Sequence, residues 1–125
     1  MRQRATAVVI RNEKVLLVRD RGKEAFSLPG GGIHKHEPAL SAAARELYKE
    51  TSLRPLKAQY AGVYDGSFNH HIVFVVEAEG DVRIRRRELS KAIWWDGQDK
   101  IRLEKHVQKI LELIPPSSMS FRRGN

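Results

Sequence analysis

The stretch from Leu28 to Leu53, LPGGGIHKHEPALSAAARELYKETSL, constrains this chain more than any other. Glycines at 30, 31 and 32 read as a loop whose backbone a ligand or neighbouring group can approach closely. Pro38 suits the first turn of a helix, and Glu37 before it complements the positive end of the helix dipole. Ala42 to Ala44 favour helix and permit close packing. Leu40, Ala44, Leu47 and Thr51 then fall on one face, with Ala43 at its border, as expected for a helix lying on a sheet. Glu46 and Glu50 sit one turn apart and about 40° apart around the axis, on a face expected to be distinct from the Leu40/Leu47 core face.

Two carboxylates so placed repel each other by a few tenths of a kcal/mol on an exposed helix, and a divalent cation removes that repulsion. Magnesium prefers carboxylate oxygens, keeps waters and often shares its shell with substrate phosphate. The plainer reading is a soluble helix face on which Arg45 and Lys49 pair with the glutamates. Lys49 lies about 60° from Glu46. An ammonium cannot ligate a cation, and at an effective dielectric near ~20 it opposes a nearby one by roughly a kcal/mol or more.

Elsewhere the pattern is mainly β. ATAVVI and VLLVRD flank RNEK and read as a hairpin turning at Asn12, with strands covered on both faces. AFSLPGG reads as a short strand entering a loop at Pro29. AQYAGVYDGS and HHIVFVVEAEG read as two strands around the Asp65-Gly66 turn, and AIWWDG as the last strand. Leu103, Val107, Ile110, Leu111 and Ile114 recur at helical spacing until Pro115-Pro116 stops that helix. Strands with one early and one late helix imply an α/β (α+β) sandwich with a mostly antiparallel or mixed sheet. Residues 1–116 form one domain by size, and SSMSFRRGN at 117–125 is expected to be a mobile tail.

The 125 residues lack cysteine, which excludes disulfides and thiolate-bound zinc and suits a reducing compartment. No apolar run approaches the ~20 residues that span a bilayer, and the N-terminal apolar run is too short for a signal peptide. The expectation is a cytoplasmic protein with no membrane partner. A net charge of +8 favours polyanions such as nucleotides or nucleic acid, against the plainer reading of a solvated basic surface, and part of the excess is local. RIRRRE at 83–88 and FRRGN at the end hold six arginines.

The segment resembles the Nudix box, the signature of the Nudix hydrolases, G-x5-E-x7-R-E-U-x-E-E-x-G-U with U aliphatic. Gly31, Glu37, Arg45, Glu46, Leu47, Glu50 and Leu53 fall where the pattern asks. Lys49 stands in place of a glutamate and Ser52 in place of the glycine. LPGG before the box, and Glu88 six residues before Trp94, are also similar to the family. The resemblance implies a mixed sheet with helices packed on both sides. It implies metal-assisted attack of water on a phosphoanhydride in a nucleoside diphosphate linked to a moiety X, with Mg2+ as cofactor and Mn2+ as substitute. It further implies Glu46 and Glu50 as metal ligands, one of them also deprotonating water, with a backbone carbonyl near Gly31 completing the shell. Arg45 would orient the acids, and Glu37 would support the loop–helix junction or an outer metal. Glu88 would be a base or extra ligand, against the plainer reading of an exposed glutamate.

Lys49 leaves three outcomes open: fewer metals, direct contact with substrate phosphate, or a fold that binds a nucleotide or RNA without hydrolysis. Ser52 replaces a residue that eases a left-handed helix end, which implies modest strain. His34, and His70 or His71, are candidates for substrate contact. A four-histidine zinc site is disfavoured because His70 and His71 point to opposite faces of a strand. Tyr64, Phe68, Trp94 and Trp95 divide between core packing and base stacking. RNA 5′ ends are a further partner allowed by the arginine run, and a homodimer is common in the family.

Overall fold

The computed structural model describes residues 1–115; the tail expected at 117–125 lies outside the described residues. The element order is β1 (Arg2–Arg11), β2 (Lys14–Asp20), β3 (Gly30–Gly32), α1 (Ala39–Thr51), β4 (Arg54–Asp65), β5 (Asn69–Glu79), β6 (Leu89–Trp95) and α2 (Lys105–Leu111). Asn12 and Glu13 both adopt positive φ, 50° and 65°, so a two-residue turn joins β1 to β2 as expected.

The sheet runs β4-β5-β1-β2-β6, with β3 paired to β1 off that path. β1 lies parallel to β5 from Arg2–Asn69 to Val9–Val76, and the other pairings between these strands are antiparallel. β1 meets β2 only at Ile10–Val15 and Arg11–Lys14. That brief contact leaves the edge of β1 at Arg4 to Thr6 for the three glycines of β3. The glycines expected in a loop therefore form a strand. Their lack of side chains lets them fit the gap opened where β1 and β2 part. The strand expected in AFSLPGG is reduced to single bridges at Phe26 and Ser27 ahead of it.

Alternation along β1 builds two cores. Ala5, Ala7 and Val9 face α1 and join Ala42, Ala43, Leu47, Leu53, Phe74 and Val76. Val8 faces the other way and joins Val15, Leu17, Val73, Val107, Ile110 and Leu111 around α2. The architecture is thus the mixed α/β sandwich with a helix on each side. β1 and β2 are buried on both faces from Ala5 to Val9 and from Val15 to Val18. Burial of a side chain such as Leu47, which has no exposed surface, contributes about 2 kcal/mol. α2 ends at Leu111, before Pro115, through a turn at Glu112 and Leu113 that still buries Ile114. No described helix is long and apolar enough to cross a membrane.

The α2 side also buries polar groups. Thr6 Oγ1 and His71 Nδ1 lie 2.8 Å apart, and Ser27 Oγ and His106 Nε2 lie 3.1 Å apart. The two imidazoles stack with centroids 4.7 Å apart. Burial pushes both down to about 4, and His106 and Arg4 add to the effect on His71. A histidine whose folded pKa lies below its unfolded value loses stability for the fold as pH drops from ~6.5 toward that folded value. In a proton NMR titration, the ring resonances of His71 and His106 are therefore expected to stay neutral at pH 5.5 and to move only near pH 4. A midpoint near 6.5 for either ring would contradict a buried neutral pair.

Candidate active site

Helix α1 begins after Pro38, whose extended backbone (φ −62°, ψ 143°) precedes the first turn. Its inward stripe is Ala42, Ala43, Glu46, Leu47, Glu50 and Thr51. The acids thus share the buried side with Leu47, against the expectation of a separate face, while Leu40 is 46% exposed. The reason is β3. Glycine backbone leaves room for a glutamate where a side chain would otherwise stand. A Cβ built on Gly31 would lie 2.5 Å from Glu46 Cδ. Gly30, at φ 150°, would place one 2.2 Å from Ala5 O.

Glu46 and Glu50 are each 7% exposed. Glu50 Oε1 accepts the Gly30 N–H at 3.1 Å. No cation pairs with Glu50 within 4 Å among the described residues. Burial pushes its carboxyl up to about 7, against the lowering effect of that N–H and of Arg4, and with smaller upward contributions from Glu46 and Asp20.

Glu46 is held differently. Its Oε2 accepts Arg45 Nη1 at 2.6 Å, and Lys49 Nζ stands 3.8 Å from its Oε1. Arg45 also grips Glu37 through Nε and Nη2, each at 2.9 Å, and donates to Gly32 O at 3.0 Å. Glu37 accepts the His34 N–H at 2.9 Å. Arg45 holds the Glu37 carboxyl down at about 2, with help from that N–H. Glu37 therefore serves the junction between β3 and α1 through Arg45; the first turn of α1 itself holds no acidic residue.

Lys49 joins the acids to a second segment. Its Nζ is 3.8 Å from Glu88 Oε2, and Arg85 Nε lies 3.1 Å from the same oxygen. Glu88 is thereby linked to the α1 acids through Lys49. Ser52 ends the helix at φ 67°, the left-handed conformation expected there, with its N–H on Tyr48 O at 2.8 Å. Past it, Arg83 N–H and Arg85 N–H donate to Thr51 O and Glu50 O at 2.8 and 2.9 Å. Carbonyls at a helix end lack partners within the helix, so this segment caps the turn that carries Glu50.

The histidines stay apart from the acids. His34 is exposed and 3.8 Å from Glu37 Oε1. His70 Nδ1 pairs with Asp65 Oδ1 across the β4–β5 turn. Trp95 packs in the core, Trp94 lies under Arg11 with 4.9 Å from guanidinium carbon to ring centroid, and Phe68 is 81% exposed. Sequence reasoning missed Arg4. Its Nη2 donates to Leu28 O at 3.2 Å, its buried Nε has no partner, and its charge opposes the upward shift of Glu50. Its place two residues before Thr6 on β1 was the signal available.

Among the described residues there is no cluster of three or more His, Cys, Asp or Glu side chains suited to a metal. Glu46 and Glu50 nevertheless bring carboxylate oxygens, the donors magnesium prefers, against the backbone of β3. The glycine cradle and the absence of a cation partner on Glu50 fit that group.

Two outcomes follow for the apo protein. Glu50→Gln keeps an acceptor for Gly30 N–H but removes a buried ionisable group. With the folded pKa raised, ionisation lowers stability as pH climbs from ~4.5 to ~7. In EDTA, Glu50→Gln is expected to gain stability over wild type at pH 8 relative to pH 5, by on the order of 2 kcal/mol, in urea unfolding. An equal offset at both pH values would show that Glu50 titrates as if in water. Gly31→Ala is expected to cost roughly 1–3 kcal/mol by overpacking against Glu46, read as a lowered urea midpoint; an unchanged midpoint would contradict the close approach.

A NUDIX domain profile matches residues 1–115. Over 78 residues the chain is 31% identical to diphosphoinositol polyphosphate phosphohydrolase 2 of Rattus norvegicus, covering 59% of this chain and 44% of that protein. The chain thus spans less than half the length of that curated relative. The crystal structure of a MutT NUDIX hydrolase from Burkholderia pseudomallei superposes with a TM-score of 0.77 at 23% identity, over 91% of this chain and 98% of that one. An ADP-ribose pyrophosphatase from Streptococcus suis gives 0.77 at 17% identity, over 99% and 93%. These two likenesses are of fold. With the profile spanning both helices and all six strands, and with the acids of α1 seated against the glycines of β3, the chain belongs to the Nudix hydrolase family.

Proposed function

We propose that the protein hydrolyses a phosphoanhydride bond in a nucleoside diphosphate linked to a second moiety, with a divalent metal bound beside Glu46 and Glu50. The observation that carries this reading is the convergence of two buried carboxylates from successive turns of α1 on the backbone of β3. Family membership supports the reaction class. The names of the rat relative and of the Streptococcus suis protein, diphosphoinositol polyphosphate phosphohydrolase and ADP-ribose pyrophosphatase, both refer to diphosphate chemistry and support the bond type.

Glu46, Glu50 and the Gly31 carbonyl would hold Mg2+, or Mn2+ in its place. When bound, the metal neutralises charge on the diphosphate and acidifies a water. The chain supplies the rest. Arg45 fixes Glu46 against β3, so the carboxylate need not reorganise as charge develops. One of Glu46 and Glu50 takes the proton of the attacking water. Lys49, on the border of the pocket, offers a point charge to a phosphate oxygen. Glu88 would act as an alternative base or ligand, a reading supported by its link to Lys49 beside Glu46. His34 and His70 are substrate contacts outside the acid pocket. The lack of cysteine suits a cytoplasmic setting.

One observation favours a second reading. Glu46 already faces two cations, Arg45 at 2.6 Å and Lys49 at 3.8 Å. Charge compensation of this kind weakens a carboxylate's demand for metal, and favours a non-catalytic domain that binds a nucleotide or RNA.

Turnover of a panel of nucleoside-diphosphate compounds with Mg2+ or Mn2+ separates the two. Wild type is expected to turn over, and Glu50→Gln to lose at least ~100-fold in kcat/KM while remaining folded by circular dichroism. Activity confined to Lys49→Glu would make the natural protein the binding module. Wild-type turnover that survives Glu50→Gln would remove Glu50 from the mechanism.

A further inference from the structure

A cavity of about 520 Å³ opens between the segment following β5 and the start of β6. It is lined by Val82, Arg83, Ile84, Arg86, Ser90 and Lys91 among others. Three of those side chains are cationic and none of the lining residues is acidic. Arg83, Arg86 and Lys91 make no ion pair with a carboxylate among the described residues. In the same segment Arg85 is paired with Glu88 at 3.1 Å, so the region separates neutralised from free charge. Like charges gathered around one concave surface raise the local potential and favour an anion there. The Ser90 hydroxyl is occupied with Arg19, 3.1 Å from its Nε, and adds no competing acceptor. A neighbouring cavity shares Arg83 but includes Glu79 and Asp81, which offset its charge.

No aromatic side chain lines the basic cavity. A single-stranded nucleic acid site is expected to offer rings on which bases stack, and this one offers guanidinium and ammonium groups against Val82 and Ile84. We propose that this cavity is a binding site for a small molecule bearing clustered phosphates, with Arg83, Arg86 and Lys91 as its contacts. Its lining includes neither α1 acid nor Glu88, and binding there does not depend on hydrolysis. The site is coupled to the acid pocket through backbone: Arg83 N–H and Arg85 N–H hold the last carbonyls of α1, one of them Glu50's own.

The test is calorimetric titration of the full chain, in EDTA and low salt, with inorganic tripolyphosphate as a linear probe and inositol hexakisphosphate as a ring-borne one. Saturable one-to-one binding of either probe is expected, and the tighter of the two identifies how the phosphates are arranged. Arg86→Ala and Lys91→Ala are each expected to weaken binding about fivefold, the size of one modest ion pair, and the double variant more than about tenfold. Lys109→Ala, on exposed α2 surface, is expected to leave it unchanged. Circular dichroism checks that each variant is folded. No binding, equal affinity in the double variant, or tighter binding of an RNA oligomer with a 5′ hydroxyl than of either probe would each overturn the proposal. Because metal is absent throughout, failure here leaves the hydrolase reading untouched, and failure of turnover leaves this site untouched.

Discussion

The structure depends on how closely a strand without side chains can approach a helix. β3 is three glycines, and α1 presses Glu46 into the space that a Cβ at residue 31 would fill. Burying a carboxylate costs several kcal/mol unless it is paired or hydrogen-bonded. The chain meets that requirement in two ways. Glu46 receives a guanidinium that is itself fixed by Glu37 and Gly32. Glu50 receives a backbone N–H and otherwise shifts toward its neutral form. Two acids one turn apart thus sit in unlike environments, one compensated by cations and one not.

Much of the fold was legible because its signals are local. The Asn12 turn, the fully apolar strands, Pro38 and the helical spacing around Val107 each report on a few neighbours. Three successive glycines read as a loop because residue type reports conformational freedom, whereas pairing with β1 arises from the way β1 and β2 diverge. The acids read as lying on a face distinct from the core stripe because carboxylates are seldom buried; nothing local reveals that a glycine strand will accept them. The two-residue difference between Glu88 and Arg86 illustrates the same limit. Their types are plain in RIRRRE, but which charge meets Lys49 and which remains free is settled by the path of the segment over α1.

Ser52 shows a local rule working as expected. A serine at φ 67° occupies the position where the family pattern has glycine, and the helix still ends in the left-handed turn. Lys49 is a departure of another kind. It keeps the helix intact and changes the electrostatics, tying Glu46 to Glu88 where the pattern would add a third negative charge. The backbone tolerates both changes, so the fold alone does not reveal what they do to chemistry.

The parallel alignment of β1 with β5 has a kinetic consequence. Arg2 stands opposite Asn69 and Val9 opposite Val76, so the first strand finds its partner across more than half the chain. Contacts of such long sequence separation require a large loop to close before they stabilise anything. The hairpin and α1 can form early, but the sheet beneath them gains its centre only when β5 arrives. Closing that loop is therefore expected to dominate the folding time of this chain, ahead of its hairpin and helices.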